Sequence, residues 1–211
     1  MLVISFATPG PYEQELEALR ATLGDIPAAL FIQKDPMTWR AATLSKPYFI
    51  LYQLCAAILR AVDGPVIWLD ADARVDQPAA FREYVAMVAE KHPGKVGFHR
   101  LPRPDDPRGP ECVLSTIIFA PPLWRCLPLV CAWLAECEER PGERTPDQEP
   151  LEHLLAPGSA IDWYPHTFPI PPEFCWIDGG LNPDVSEMHY GKRTAIVRQT
   201  QASRRLKNAG A

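Results

Sequence analysis

A chain of 211 residues carrying a net charge of −5 is long enough for one α/β domain that buries about 70% of its unfolded surface. Its acidity argues against a globally basic nucleic-acid binder. Six cysteines without a C-x-x-C pair, most of them among apolar residues, argue for free thiols in a reducing cytoplasm.

Leu2–Ala7 has the composition of a buried strand. It lacks the basic flank and the length of a signal peptide, and Thr8-Pro9-Gly10-Pro11 turns it into a helix over Tyr12–Leu23, with Leu16, Leu19 and Leu23 at helical spacing. Ala28–Gln33 forms a second, short strand. Trp39–Val62 has a broad apolar face that predicts a long helix, and Pro47 suits a helix's first turn. Asp63-Gly64 stops it. The run Val66-Ile67-Trp68-Leu69 has no polar alternation, as expected of a strand buried on both faces of a mostly parallel sheet. It ends in Asp70-Ala71-Asp72. Ligands in open α/β sheets bind beyond the carboxyl ends of strands, and side chains alternate along extended chain, so Asp70 and Asp72 are expected on one side with Ala71 leaving room between them. Such a pair suits Mg²⁺ or Mn²⁺ with positions open for phosphate oxygens, or else a turn and a helix cap.

Gln77–His92 reads as a helix with Phe81, Val85 and Val88 inward, and Lys95–Leu101 as a strand. Prolines then exclude helix and sheet over 102–110, a loop that serves either as a connection or as a flap over the site. Val113–Ala120 reads as a strand. Cys112–Leu134 is long enough to span a bilayer, but Pro121-Pro122 breaks it and Arg125 charges it. Leu123–Glu139 is apolar nearly all round, which predicts a buried helix with Trp124 and Trp133 in the core. Thr145 as N-cap, Pro146 at N1 and acidic residues behind them predict a short amphipathic helix through Leu155. Ile161–Tyr164 reads as a short strand. From His189 onward there are six basic residues and no acidic one, so the acidic average does not describe the C-terminal segment 189–211.

An apolar strand that ends in D-A-D resembles the Asp-x-Asp signature of GT-A-fold glycosyltransferases, which use nucleotide-diphosphate sugars. The resemblance implies a single GT-A-like (Rossmann-like) α/β domain with a mostly parallel central sheet flanked by helices. It divides the chain into a donor half, about 1–100, an acceptor half, about 101–188, and the basic segment. It implies Mn²⁺ or Mg²⁺ held by Asp70 and Asp72, with Ala71 between them, and a UDP-sugar donor. Phe6, Ala7 and Thr8 resemble uridine-pocket positions. Lys46, in a stretch similar to the one preceding D-x-D strands in small glycosyltransferases, falls near the diphosphate. Asp147-Gln148 resembles an Asp-Gln at the acceptor face of such enzymes. An inverting displacement needs a base for the acceptor hydroxyl, for which Asp147 leads and Glu149 follows; their alternative role is with the helix dipole.

Gln201-Ala202-Ser203-Arg204 is similar to a C-terminal Q-A-S-R of related sequences, which places Arg204 at the donor. Gln199 stands where those have histidine, so the third metal ligand is His189 or water. Pro171–Ile177 resembles a segment beneath the acceptor site, with Glu173 and Trp176 available to a sugar or base. The resemblance extends to small phage and base-J-type DNA-modifying enzymes, so the acceptor is a soluble glycan, a small molecule or a hydroxymethylated base in DNA, with phosphates tracked by the basic tail. A nucleotidyltransferase is disfavoured, because Thr8-Pro9-Gly10-Pro11 is a poor phosphate cradle. A non-catalytic nucleotide-sugar binder is the remaining alternative.

Overall fold

The structure, a computed structural model, describes residues 1–103, 106, 109–177, 195–200 and 202. Nine strands and five α-helices are described: β1 (Leu2–Ala7), α1 (Pro11–Leu23), β2 (Ala28–Ile32), α2 (Trp39–Leu59), β3 (Val66–Leu69), β4 (Ala73–Val75), α3 (Pro78–Lys91), β5 (Val96–Leu101), β6 (Glu111–Phe119), α4 (Leu127–Glu139), α5 (Gln148–Leu155), β7 (Thr167–Pro169), β8 (Trp176–Ile177) and β9 (Val197–Gln199). Six strands form the central sheet in the order β2-β1-β3-β6-β5-β7, and β4-β9-β8 form a smaller one. β1 pairs in parallel with β2 and β3, and β7 in parallel with β5; β6 alone runs against its neighbours β3 and β5. The sheet is thus mostly parallel, as expected.

The two faces of the sheet carry separate cores, divided by strand parity. Val3, Ala7, Ile67 and Leu69 join Leu16, Leu19 and Leu23 of α1 and Phe81, Val85 and Val88 of α3 on one face. Ile4, Phe6, Val66 and Trp68 join Phe49, Ile50 and Leu54 of α2 and Val130 and Trp133 of α4 on the other. All four residues of β3 are buried, which is why that strand shows no polar alternation.

Pro47 lies inside α2, not in its first turn. The ring removes one N–H from the helix ladder, and in the turn before it the hydroxyls of Thr43 and Ser45 donate to the carbonyls of Trp39 and Ala41, each at 2.8 Å. α2 is long and apolar enough to cross a membrane, yet it lies against the sheet and α4 with Phe49, Ile50, Gln53 and Leu54 buried. α4 is buried along one stripe, Leu129, Val130, Trp133 and Cys137, rather than all round. Trp124, in a 3₁₀ turn before it, is 58% exposed and not core. The stretch 161–164 is not a strand: Asp162 accepts the Tyr164 N–H at 3.1 Å, and the strand follows as β7.

Candidate active site

Parity along β3 determines what Asp70 meets. Trp68 and Asp70 are two residues apart and face α2, and the Trp68 Nε1–H donates to Asp70 Oδ1 at 2.9 Å. On α2, Lys46 precedes Phe49, Ile50 and Gln53 on the buried stripe, so its ammonium is carried to the same place and reaches Asp70 Oδ1 at 3.1 Å. The chain then turns, with the Ala73 N–H bonded to the Asp70 carbonyl at 2.9 Å. The aspartates therefore sit on a tight turn, not on extended chain. Both still line one cavity, together with Ala71. The backbone at this turn is pinned on both sides: Asp70 N–H donates to the Ser115 carbonyl of β6 at 3.0 Å, and the Asp72 carbonyl accepts from Thr200 N–H at 3.1 Å.

A second carboxylate shares Lys46. Asp147 Oδ2 lies 2.7 Å from the ammonium, and its carbonyl accepts the Trp133 Nε1–H of α4 at 2.6 Å. α5 begins at Gln148 rather than Pro146, and Asp147, two residues after the predicted cap Thr145, occupies the cap position without a side-chain cap bond. Its carboxylate is committed to Lys46 instead. Lys46, Asp72 and Asp147 are all buried. Burial alone would lower the Lys46 pKa, but the carboxylates of Asp147 and Asp70 outweigh it and hold the ammonium well above the ordinary lysine range. Tyr12, on the cavity wall, has its phenol pushed up by burial and then by the Asp72 carboxylate.

The cavity, of about 600 Å³, opens where β1 and β3 end and antiparallel β6 begins. Phe6, Ala7, Thr8 and Tyr12 line one part of it. Lys46, Asp70, Ala71 and Asp72 line it as well. Trp39 and Thr43 of α2, Glu111 and Ser115 of β6, and Arg144, Asp147 and Gln148 line the remainder. Arg40 ties the start of α2 to the loop before α5 through the carbonyls of Pro141 and Glu143, the latter at 2.9 Å. That bond joins the stretches that carry Trp39 and Arg144.

Of the expected site residues, Phe6, Ala7, Thr8, Lys46, Asp70, Ala71, Asp72 and Asp147 come together on this cavity. Glu149 does not line it; its carboxylate accepts the backbone N–H groups of Arg144 at 2.9 Å and Thr145 at 3.4 Å. Glu173 and Trp176 are also outside the lining, and Trp176 is paired with Arg198 between β8 and β9. His189 and Arg204 lie outside the described residues.

The sequence did not single out Tyr12, Trp68, Glu111, Ser115 or Arg144 as site residues, and it marked Trp39 and Gln148 only as members of the stretches that carry Lys46 and Asp147. Trp68 was within reach of the parity argument that was applied to the aspartates. Glu111 and Ser115 depend on strand order, and Tyr12, Trp39 and Arg144 on how helices and loops pack around the strand ends.

For a divalent cation the D-A-D turn supplies two carboxylates, Asp70 and Asp72, on the cavity. The Asp70 bonds to Lys46 and Trp68 both use Oδ1. No group of three His, Cys, Asp or Glu residues is present among the described residues. Two hard oxygen donors fit an Mg²⁺- or Mn²⁺-type ion that draws its other ligands from water and phosphate.

A mostly parallel sheet with one reversed strand and helices on both faces is the fold of GT-A-type glycosyltransferases, and this chain has that fold. It is similar to a solved glycosyltransferase involved in glycosylation of the major capsid of PBCV-1, with TM-score 0.58, 13% identity, and coverage of 99% of this chain and 96% of that one. It is similar also to an active-site mutant of LgtC (TM-score 0.56, 10% identity, 100% and 95% coverage) and to mouse xyloside xylosyltransferase 1 (0.53, 10%, 95% and 97%). No family profile and no curated protein matches the sequence.

Proposed function

We propose that the protein is a metal-dependent glycosyltransferase that moves a sugar from a nucleotide-diphosphate sugar, a UDP-sugar in the first instance, to a hydroxyl acceptor. The observation that carries this reading is the convergence of Asp70, Asp72, Lys46 and Asp147 on a cavity of nucleotide-sugar size. The fold supports it: one similar structure is LgtC, a galactosyltransferase solved with donor and acceptor sugar analogues.

In this reading Phe6, Ala7 and Thr8 receive the base, and Asp70 and Asp72 hold Mn²⁺ or Mg²⁺. When bound, the cation neutralises charge on the departing nucleoside diphosphate. Lys46 is held protonated by its two carboxylates, so it presents a permanent positive charge to the diphosphate side of the sugar. Asp147, fixed from α2 and α4, takes the acceptor proton in an inverting displacement. The six free thiols support a reducing, cytoplasmic setting.

The test is calorimetry and thermal shift with UDP, GDP, CDP and their sugars, with and without Mn²⁺, on wild type and Asp72→Ala. A nucleotide at ~100 times its Kd stabilises the protein by about 2.7 kcal/mol. Metal-dependent binding that Asp72→Ala abolishes is the expected result; binding indifferent to metal and to Asp72 refutes the reading. The acceptor screen that follows covers soluble glycans, small alcohols and hydroxymethylated DNA, and Asp147→Asn is expected to lose about 10²- to 10⁴-fold in transfer with nucleotide binding retained.

A further inference from the structure

Glu152, on α5 and outside the cavity lining, is 1% exposed. A buried carboxylate needs its charge answered, and three donors answer this one. Arg103 Nη1 lies 3.0 Å from Oε2, and Oε1 accepts the Cys112 N–H at 3.0 Å and Gln148 Nε2 at 2.9 Å. Gln148, one helical turn earlier, does line the cavity, and the same Nε2 also donates to Glu111 Oε1 at 3.1 Å. Glu111 is in turn held by Arg103 at 2.8 Å.

Side-chain amides have two ends that geometry alone distinguishes poorly, but ionised carboxylates accept and never donate. Two carboxylates on one side of Gln148 therefore fix the NH₂ group toward them and use both of its hydrogens. The carbonyl oxygen is the only polar atom of that side chain left for a ligand.

We propose that Glu152 is a positioning residue: it locks the Gln148 amide so that Oε1, an acceptor, meets a hydroxyl of the sugar substrate in the cavity. The lock includes Arg103, whose guanidinium is held by the same two carboxylates. A flipped amide would offer N–H groups instead, and a sugar hydroxyl acting as donor would lose its partner. This rests on the glycosyltransferase reading, but the orientation itself does not.

The experiment combines a signature of orientation with a mutant cycle. In wild-type ¹H–¹⁵N spectra the Gln148 side-chain amide protons are expected downfield and slow to exchange, and shifted toward exposed-amide values in Glu152→Gln; ordinary exposed shifts in wild type overturn the proposal with no variant required. In the cycle, turnover of UDP-glucose and UDP-galactose with Mn²⁺, in the absence of acceptor, is followed for Glu152→Gln, Gln148→Ala and the double variant. Glu152→Gln is expected to lower kcat roughly 10- to 100-fold with the Kd of UDP unchanged within about twofold. It should lower kcat no further in the Gln148→Ala background, since its effect on turnover runs through that residue. Additive losses, or UDP binding that weakens together with Tm, mean a purely structural Glu152 and overturn the proposal. A wild type that neither binds UDP nor turns over these donors instead overturns the proposed function, and the amide resonances then decide the orientation alone.

Discussion

Removing the Lys46 ammonium while keeping its volume, as in Lys46→Met, isolates the electrostatics of the site. In wild type the ammonium lies 2.7 Å from Asp147 and 3.1 Å from Asp70, and it is 8% exposed, with Asp147 at 6%. Without it, Asp147 is a buried carboxylate with no cation. Breaking a buried pair from one side costs about 3–5 kcal/mol. For a chain of this size each kcal/mol moves Tm by roughly 2–4 °C, so Lys46→Met is expected to melt about 6–20 °C below wild type.

Adding Asp147→Leu removes the orphaned charge and should recover most of that loss, because an apolar pair of similar volume is often neutral. The pH dependence follows from the sign of the lysine shift. A folded-state pKa raised above the unfolded value, about 10.4, contributes stability that is complete below the unfolded value and lost as pH rises through the folded one. The gap between wild type and Lys46→Met should therefore be flat from about pH 7 to pH 9 and narrow only in strong alkali. Differential scanning calorimetry of the three proteins at several pH values is the assay. A single variant within about 2 °C of wild type, or a double variant less stable than the single, refutes the argument.

Other outcomes follow from packing and exposure. Trp133→Phe removes the 2.6 Å bond to the Asp147 carbonyl and is expected to cost about 1–3 kcal/mol in chemical denaturation; a smaller loss would mean that water reaches this carbonyl. Gly97→Ala puts a Cβ about 2.3 Å from the Phe168 ring, an overpacking that should cost about 1–3 kcal/mol, and an unchanged denaturation midpoint would contradict the β5–β7 register. In native protein a thiol reagent should modify Cys55 and Cys131 quickly. Cys112, Cys126, Cys137 and Cys175 should react only on unfolding, since burial pushes up their thiol pKa values, those of Cys126, Cys137 and Cys175 to about 12. Rapid labelling of more than these two in native protein would refute the placement of the core.

Much of this architecture is local enough to be legible in one chain. The unbroken apolar run of β3 announces a strand covered on both faces, the spacing of Phe81, Val85 and Val88 announces α3, and the abrupt change to D-A-D marks where β3 ends, on the cavity. These signals are carried by periodicity and by abrupt polarity changes, which need no knowledge of neighbours.

What the chain alone did not reveal depends on contacts far apart in sequence. β6 inserts between β3 and β5, and this brings Glu111 and Ser115 to the aspartates; pairing order is set by burial of the whole sheet, not by any strand's own residues. Asp147 reads as part of a helix start, and only packing on α2 and α4 turns it to Lys46, because the nearest unanswered charge in a buried place competes with the helix's own N–H groups and wins. Gln148, an unremarkable polar residue at the start of a helix, acquires a defined orientation from two carboxylates, one of them 37 residues away. Composition and periodicity determined the longer elements; tertiary structure decided the short strands and which charges meet at the end of β3, since the strength of a charge depends on who is buried beside it.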